Sequence, residues 1–308
     1  MPEPRIVKTP RPNNRFYYGF GLAVLALNKV RHSVQGYRTP RTFPMIEINR
    51  AVDYDISVVD HWLKMLQQYT RIKPDLTGAT ILELGPGADL GVGLLLLALG
   101  AKKYNAIDIN NLVQNVPQQF YDAFFDDPRV CNANVRSNVN DLRAQLKLTQ
   151  AGQNDRLNYI CRSDFDVSIF SGEPIDLVFS QAAFEHFDNI DATFLKLGEV
   201  ARSGTVLVTE IDLNTHTRWL RDVDPLNIYR YSDAIYDAFR FRGSPNRHRP
   251  QEYKQALEKH GWENVQIWPL TRVDDEYTSR VRRLLPAKFR LESSQIEYLS
   301  IALCAQKK

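Results

Sequence analysis

The sequence predicts an α/β fold built on a mostly parallel sheet. Three observations carry this. Short apolar strands alternate with helical stretches through the middle of the chain, a glycine-rich turn joins one strand to a helix, and acidic residues close the neighbouring strands. Strands spaced by helices form parallel βαβ units with right-handed crossovers.

Taken in order, residues 1–15 hold four prolines and are expected to be flexible. Residues 16–35 read as a helix, Thr39-Pro40 and Phe43-Pro44 break the chain, and Asp53–Gln68 repeats Ile56, Val59, Leu63 and Leu66 near helical spacing. After the turn at Pro74-Asp75 and Thr77-Gly78, strands are expected at Thr80–Leu84, Tyr104–Ile109, Leu157–Arg162, Asp176–Gln181 and Thr205–Ile211. Helices are expected at Leu90–Leu99, Asn111–Phe125, Asp191–Ala201 and Gln251–His260. Two further strands, Val265–Trp268 and Tyr298–Ala305, close the chain. Segments 126–156 and 212–250 exceed ordinary loop length. Insertions in an open α/β sheet tend to surround the carboxyl ends of the strands, where ligands bind. The division expected is a helical N-terminal extension over 1–75 and a catalytic domain over 76–308, with 212–250 as a lid.

Composition bounds the partners. The 308 residues are 44% hydrophobic and 24% charged, with net charge +3, so no strong field toward nucleic acid is expected. The charge is uneven: residues 1–50 carry nine Lys/Arg against Glu3 and Glu47, a net of +7. Such a segment suits weak peripheral contact with an anionic surface, although a solvated arm is the plainer reading. Cys131, Cys161 and Cys304 make no CxxC pair, and Cys161 and Cys304 sit in strand-like runs as small hydrophobes. No disulfide framework and no metal site is expected, which points to a reducing, cytoplasmic setting. Arg5, Lys8, Arg11 and Arg15 before the apolar run Phe16–Leu27 have the outline of a signal peptide. Asn28-Lys29-Val30-Arg31 follows without a small-residue cleavage site, and the run is too short to span a bilayer.

The glycine-rich turn reads Ile81-Leu82-Glu83-Leu84-Gly85-Pro86-Gly87-Ala88-Asp89-Leu90-Gly91. Gly85 and Gly87 let the backbone turn tightly and approach a ligand, and the following helix offers free N–H groups and its positive end. A dinucleotide fingerprint requires G-x-G-x-x-G, whereas this chain has Leu90 at the third position. Glu83 before the turn would repel a pyrophosphate but suits an ammonium group. S-adenosylmethionine (SAM) carries an ammonium, a sulfonium and a carboxylate, so the electrostatics favour it over NAD. Asp108, which closes the second strand before Ile109, can accept both ribose hydroxyls. Asp164 and Phe165 follow the third strand, where one could accept the adenine amino group and the other could lie against the ring. Taken singly, each acid has a plainer reading as the cap of the next helix, but the ordered set argues for a ligand.

On these residues the chain resembles the class I SAM-dependent methyltransferases. LELGPGADLG looks like their first motif, AIDIN like the acidic second-strand end, and GTVLVTE (204–210) like the fifth strand. Asp176-Leu177-Val178-Phe179-Ser180-Gln181-Ala182-Ala183-Phe184-Glu185-His186 is similar to their fourth-strand segment. The resemblance covers roughly 78–308. It implies a Rossmann-like seven-stranded sheet with an antiparallel last strand, and SAM held at Glu83, Gly85, Pro86, Gly87, Asp108, Ile109, Asp164, Phe165 and Ser180. Within 212–250, Asp212…His216 and Asn246-Arg247-His248-Arg249 look like a subgroup acting on small molecules or glycans.

Methyl transfer needs an aligned nucleophile and, for a hydroxyl, a base. His186 after the fourth strand and His216 after the fifth are the candidates, with Asp212 placed to orient His216; His186, with Glu185, could instead simply hold its loop. Glu185 is expected to fix its loop. Arg242, Arg247 and Arg249, with Tyr231, are expected to contact an anionic or sugar-like acceptor, against the alternative of a packed aromatic face. Rival functions are a non-catalytic SAM-binding module and an NAD(P)-dependent oxidoreductase. No N/D-P-P-Y motif follows the fourth strand, which disfavours methylation of base amino groups.

Overall fold

A computed structural model describes residues 3–10, 14–35, 47–131 and 138–308. A short edge strand β1 (Arg5–Val7) and two long helices, α1 (Asn14–Gln35) and α2 (Ile48–Thr70), precede the alternating region. That region runs β2 (Thr80–Leu84), α3 (Gly91–Ala98), β3 (Lys103–Asp108), α4 (Gln118–Asp126), α5 (Pro128–Cys131), α6 (Val139–Gln150), β4 (Leu157–Cys161), β5 (Ile175–Gln181), α7 (Ile190–Val200) and β6 (Ala201–Asp212). Three helices follow, α8 (Arg218–Arg221), α9 (Asp233–Phe239) and α10 (Pro250–Lys259), then β7 (Trp262–Val273), α11 (Asp275–Arg282), α12 (Ala287–Arg290) and β8 (Tyr298–Lys307).

The strands form one sheet in the order β1-β7-β8-β6-β5-β2-β3-β4. Only β8 runs against the others among the described residues, pairing antiparallel with both β6 and β7. The expected mostly parallel sheet is therefore present, with eight strands rather than seven. The extra strand is β1, which pairs parallel with β7 from the segment expected to be flexible. Thr9 fixes it further, its backbone N–H and hydroxyl both donating to Asp274.

Alternation along β2 distributes the core. Ile81 faces a layer made by α2, α3, α4 and α6, while Leu82 and Leu84 face a layer containing α7 and α10. In the first layer Trp62 of α2 is fully buried and stacks on Phe179 of β5 with centroids 4.7 Å apart. A third cluster gathers Tyr229, Tyr231 and Tyr236 with Tyr277, Val281 and Phe289, packed against Leu22 and Leu25 of α1.

Three further expectations change. Pro117 lacks an N–H and holds extended backbone, so Asn111–Phe125 divides into a 3-10 turn (Val113–Asn115) and α4, which starts after it. The polar stretch 126–156 contains α5 and α6; Asn138 starts α6 by accepting from the Asn140 N–H, a cap whose polar sequence resembles a loop. Cys161 is exposed, whereas Cys304 is buried as expected. Of the basic N-terminal residues, Arg11, Arg38 and Arg41 lie outside the described residues. No helix among the described residues is long and apolar enough to cross a membrane.

Candidate active site

Because β2 through β6 run parallel, Leu84, Asp108, Cys161, Gln181 and Asp212 all end at the same edge of the sheet. The glycine turn lies there. Gly85 and Gly87 adopt φ of 76° and 81°, the left-handed region open to glycine. A Cβ on Gly85 would meet the Ala183 Cβ at 2.8 Å, so the turn and the loop after β5 are pressed together. Ser180 joins them below, its hydroxyl donating to the Leu84 carbonyl at 2.9 Å. Pro86 and Ile109 are half-buried beside this junction.

The acids differ in environment. Glu83 is buried and accepts a 2.6 Å hydrogen bond from the Tyr104 hydroxyl. Burial pushes its carboxyl up to about 8, against the Tyr104 bond that lowers it. Asp108 accepts from the backbone N–H groups of Gly87 (3.3 Å) and Asn110 (2.9 Å), and burial holds its pKa above the ordinary value despite these bonds. Asp164 is exposed and paired with Arg162, whose bond draws its pKa down to about 2. Phe165 sits at φ 48° with its ring 4.6 Å from that of Phe187.

Helix α2 supplies side chains that sequence reasoning missed. The Trp62 indole N–H donates to Gln181 at the end of β5 (3.1 Å), and His61 lies 3.3 Å from Glu210 near the end of β6. Asp55 is buried beside Asp89; burial, then the Asp89 charge, holds its carboxyl well above the ordinary range. A Cβ on Gly91 would stand 2.0 Å from an Asp55 oxygen, so that glycine is required by α2. One signal was available: Asp55 interrupts the apolar face formed by Val52, Ile56 and Val59, where an acid is out of place.

The loop after β5 and the segment after β6 bring Glu185, His186 and His216 together. The two imidazoles meet edge to face, 4.9 Å apart, and His216 Nε2 lies 3.8 Å from Glu185. Burial lowers the His186 pKa below the ordinary histidine value. Burial acts likewise on His216, but Glu185 and Asp212 outweigh it and the value rises. Asp212 does not hold the His216 ring: it pairs with Arg221 and accepts from the Asn214 N–H. The Asn214 carbonyl faces His216 Nδ1 instead, at 3.0 Å. Asn246 clamps the loop by donating to the Phe184 and Phe187 carbonyls.

The four residues expected to meet an acceptor divide. Arg247 is buried over the Tyr236 ring and donates to the Ile228 and Tyr231 carbonyls. Arg249 is buried and donates to the Ser294, Gln295 and Tyr298 carbonyls and to the Tyr229 hydroxyl. Tyr231 is buried with its hydroxyl donating to the Tyr18 carbonyl. The donors of these three meet the protein's own acceptors, so they shape the segment from inside. Arg242 is exposed and donates to the Ser163 carbonyl, beside Asp164.

A mostly parallel sheet with one reversed strand, whose edge carries a glycine turn flanked by buried acids, is the architecture of a Rossmann-like methyltransferase fold. The family described as "Methyltransferase domain" matches residues 59–267, and the chain belongs to it. No curated protein matches the chain. Among solved structures, a SAM-dependent methyltransferase from Mesorhizobium loti is similar at 15% identity, covering 78% of this chain and 96% of that one, with TM-score 0.41. A Haemonchus contortus phosphoethanolamine N-methyltransferase 2, solved with SAM, is similar at 13% identity, covering 80% and 52%, with TM-score 0.42. The CurJ carbon methyltransferase is similar at 14% identity, covering 97% and 72%, with TM-score 0.46. Likeness at this level does not extend to acceptor or mechanism.

Proposed function

We propose that the chain transfers a methyl group to a hydroxyl or amine of a small-molecule or glycan acceptor, held between the glycine turn and the Glu185–His186–His216 cluster. The observation that carries this is the contact of Ala183 with Gly85, which seats the cluster's loop directly against the turn.

The strand edge fits SAM. Gly85 and Gly87 leave bare backbone in a conformation other residues avoid, Asp108 supplies a carboxylate for the ribose, and Glu83, bonded to Tyr104, carries a carboxyl that a nearby ammonium would ionise. Asp164 and Phe165 take the adenine side in this reading, with Pro86, Ile109 and Ser180 shaping the pocket floor. When bound, SAM supplies an electrophilic methyl group on a sulfonium. The protein aligns the acceptor and accepts its proton, for which His216 and His186 are within reach of one another and of the same loop. Arg242, on the outside of the 212–250 segment, is the contact for an anionic acceptor. In this reading residues 1–75 are an extension and 212–250 a lid over the 76–308 domain, working in the cytoplasm.

The test supplies methyl-labelled SAM and an extract of low-molecular-weight metabolites and glycans. Label should enter that fraction, and His216→Ala or His186→Ala should cut turnover by about 10²-fold or more while SAM affinity holds. Label entering only protein or nucleic acid would reject the acceptor class, and full turnover in both variants would reject the histidines as base.

A further inference from the structure

The Glu185 side chain presents a problem of charge. It is 2% exposed, and neither carboxylate oxygen has a hydrogen-bond partner among the described residues. Donors nearby are committed elsewhere: Asn246 gives its side-chain amide to the Phe184 and Phe187 carbonyls, and Tyr253 donates to Asn246. A buried carboxylate with no hydrogen-bond donor, and only the His216 ring 3.8 Å away to oppose its charge, is costly, so a closer cation partner is called for.

The histidines are prepared to complete such a site. His186 Nδ1 lies 2.7 Å from the Gly243 carbonyl and His216 Nδ1 lies 3.0 Å from the Asn214 carbonyl. A carbonyl can only accept, so each Nδ1 carries a proton, and the neutral form of each ring keeps its Nε2 lone pair for a ligand. Fixing one imidazole nitrogen on a carbonyl while the other faces a metal is the recurring outer arrangement of metal-binding histidines. One ligand atom from each of Glu185, His186 and His216 lies within 4.8 Å of the other two. Bonds of about 2.0–2.2 Å to a shared ion would draw these atoms together by roughly an ångström.

We propose that Glu185, His186 and His216 hold a divalent transition-metal ion, with its remaining positions open toward the acceptor. Two imidazoles and one carboxylate favour zinc or ferrous iron over magnesium, calcium and manganese, which prefer oxygen. The ion gives Glu185 a counter-charge in direct contact and offers an acceptor oxygen a Lewis acid that eases loss of its proton. The two histidines thus serve the acceptor in one of two ways: as the base of the ion-free chain, or as ligands when the ion is bound, the acidified hydroxyl then giving its proton to solvent water. Only this role of the ion rests on the function proposed above; its binding does not.

The full-length chain, stripped with chelator, is titrated with cobalt(II) as a spectroscopic probe and with zinc by calorimetry. The expected result is visible cobalt absorption saturating at one ion per chain, displaced by zinc. Glu185→Gln and His216→Gln should each weaken binding by more than the roughly 10–100-fold that loss of an outer partner costs, with the thermal shift from SAM retained as proof of folding. Absence of cobalt absorption and of zinc heat in the wild-type chain at millimolar ion overturns the proposal, whatever the variants do. Unchanged binding in both variants overturns it equally, by placing the ion elsewhere. The methyl-label experiment is separate: metal binding without label transfer would sink the proposed acceptor and leave the site standing.

Discussion

The Glu83 carboxyl sits between two demands. Folding buries it and raises its pKa from the ordinary 4.5 to about 8, while a bound ammonium would need it ionised. The fold therefore favours the protonated form. The stability that this contributes is complete below about pH 4.5 and is lost as pH rises to about 8. Binding of SAM should release a proton over the same window and tighten from about pH 6 to pH 8. Calorimetry at pH 7 in buffers of different ionisation enthalpy reads this directly, and equal heats in all buffers would remove Glu83 from the ammonium site. Arg249 makes a different kind of claim. Its guanidinium serves three carbonyls and the Tyr229 hydroxyl, so Arg249→Met should cost about 3 kcal/mol in chemical denaturation by orphaning buried acceptors. A variant of undiminished stability with a raised KM would return Arg249 to the acceptor site. The role of Arg249 was hard to read from sequence, because an arginine beside aromatics looks alike whether it faces a cleft or a core.

Among the elements, α2 joins core to site most directly. Trp62 fills the layer against Phe179 and reaches Gln181, and His61 reaches Glu210. Trp62→Ala should cost about 3–5 kcal/mol and also loosen the end of β5. Denaturant unfolding checks the first effect, and hydrogen exchange of Ser180 and Gln181 the second; unaltered exchange there would confine Trp62 to packing. The apolar period of α2 was visible in the sequence at Ile56, Val59, Leu63 and Leu66, but not which strand ends it would cover. Strands β2, β3, β5 and β6 were legible because each is a short apolar run bounded by turns. Helix α6 was not, since Val139–Gln150 is polar on most of its surface and buries only Leu142, Gln145 and Leu146. β1 escaped notice because a three-residue edge strand has no period to detect, and it forms only where β7 offers a partner.

For the molecule as a whole, ligand binding should appear as stability. At a hundred times its Kd, SAM adds about 2.7 kcal/mol, a rise in Tm of roughly 4 °C at this chain length. S-adenosylhomocysteine should act similarly, NAD and NADP should not, and Asp108→Ala should lose most of the shift. Stabilisation by a nicotinamide alone would contradict the assignment of the cofactor.

The sequence by itself determined the sheet, the glycine turn and the order of acids along one edge. These depend on local period and on residue types confined to a few backbone conformations, such as Gly85 and Gly87 at positive φ. Only the tertiary structure decided that Glu185, His186 and His216 share one point, that Asp212 serves Arg221, and that Arg247 and Arg249 turn inward. Those outcomes depend on how segments far apart in the chain pack and on which backbone carbonyls that packing leaves to be satisfied, and no local pattern encodes them.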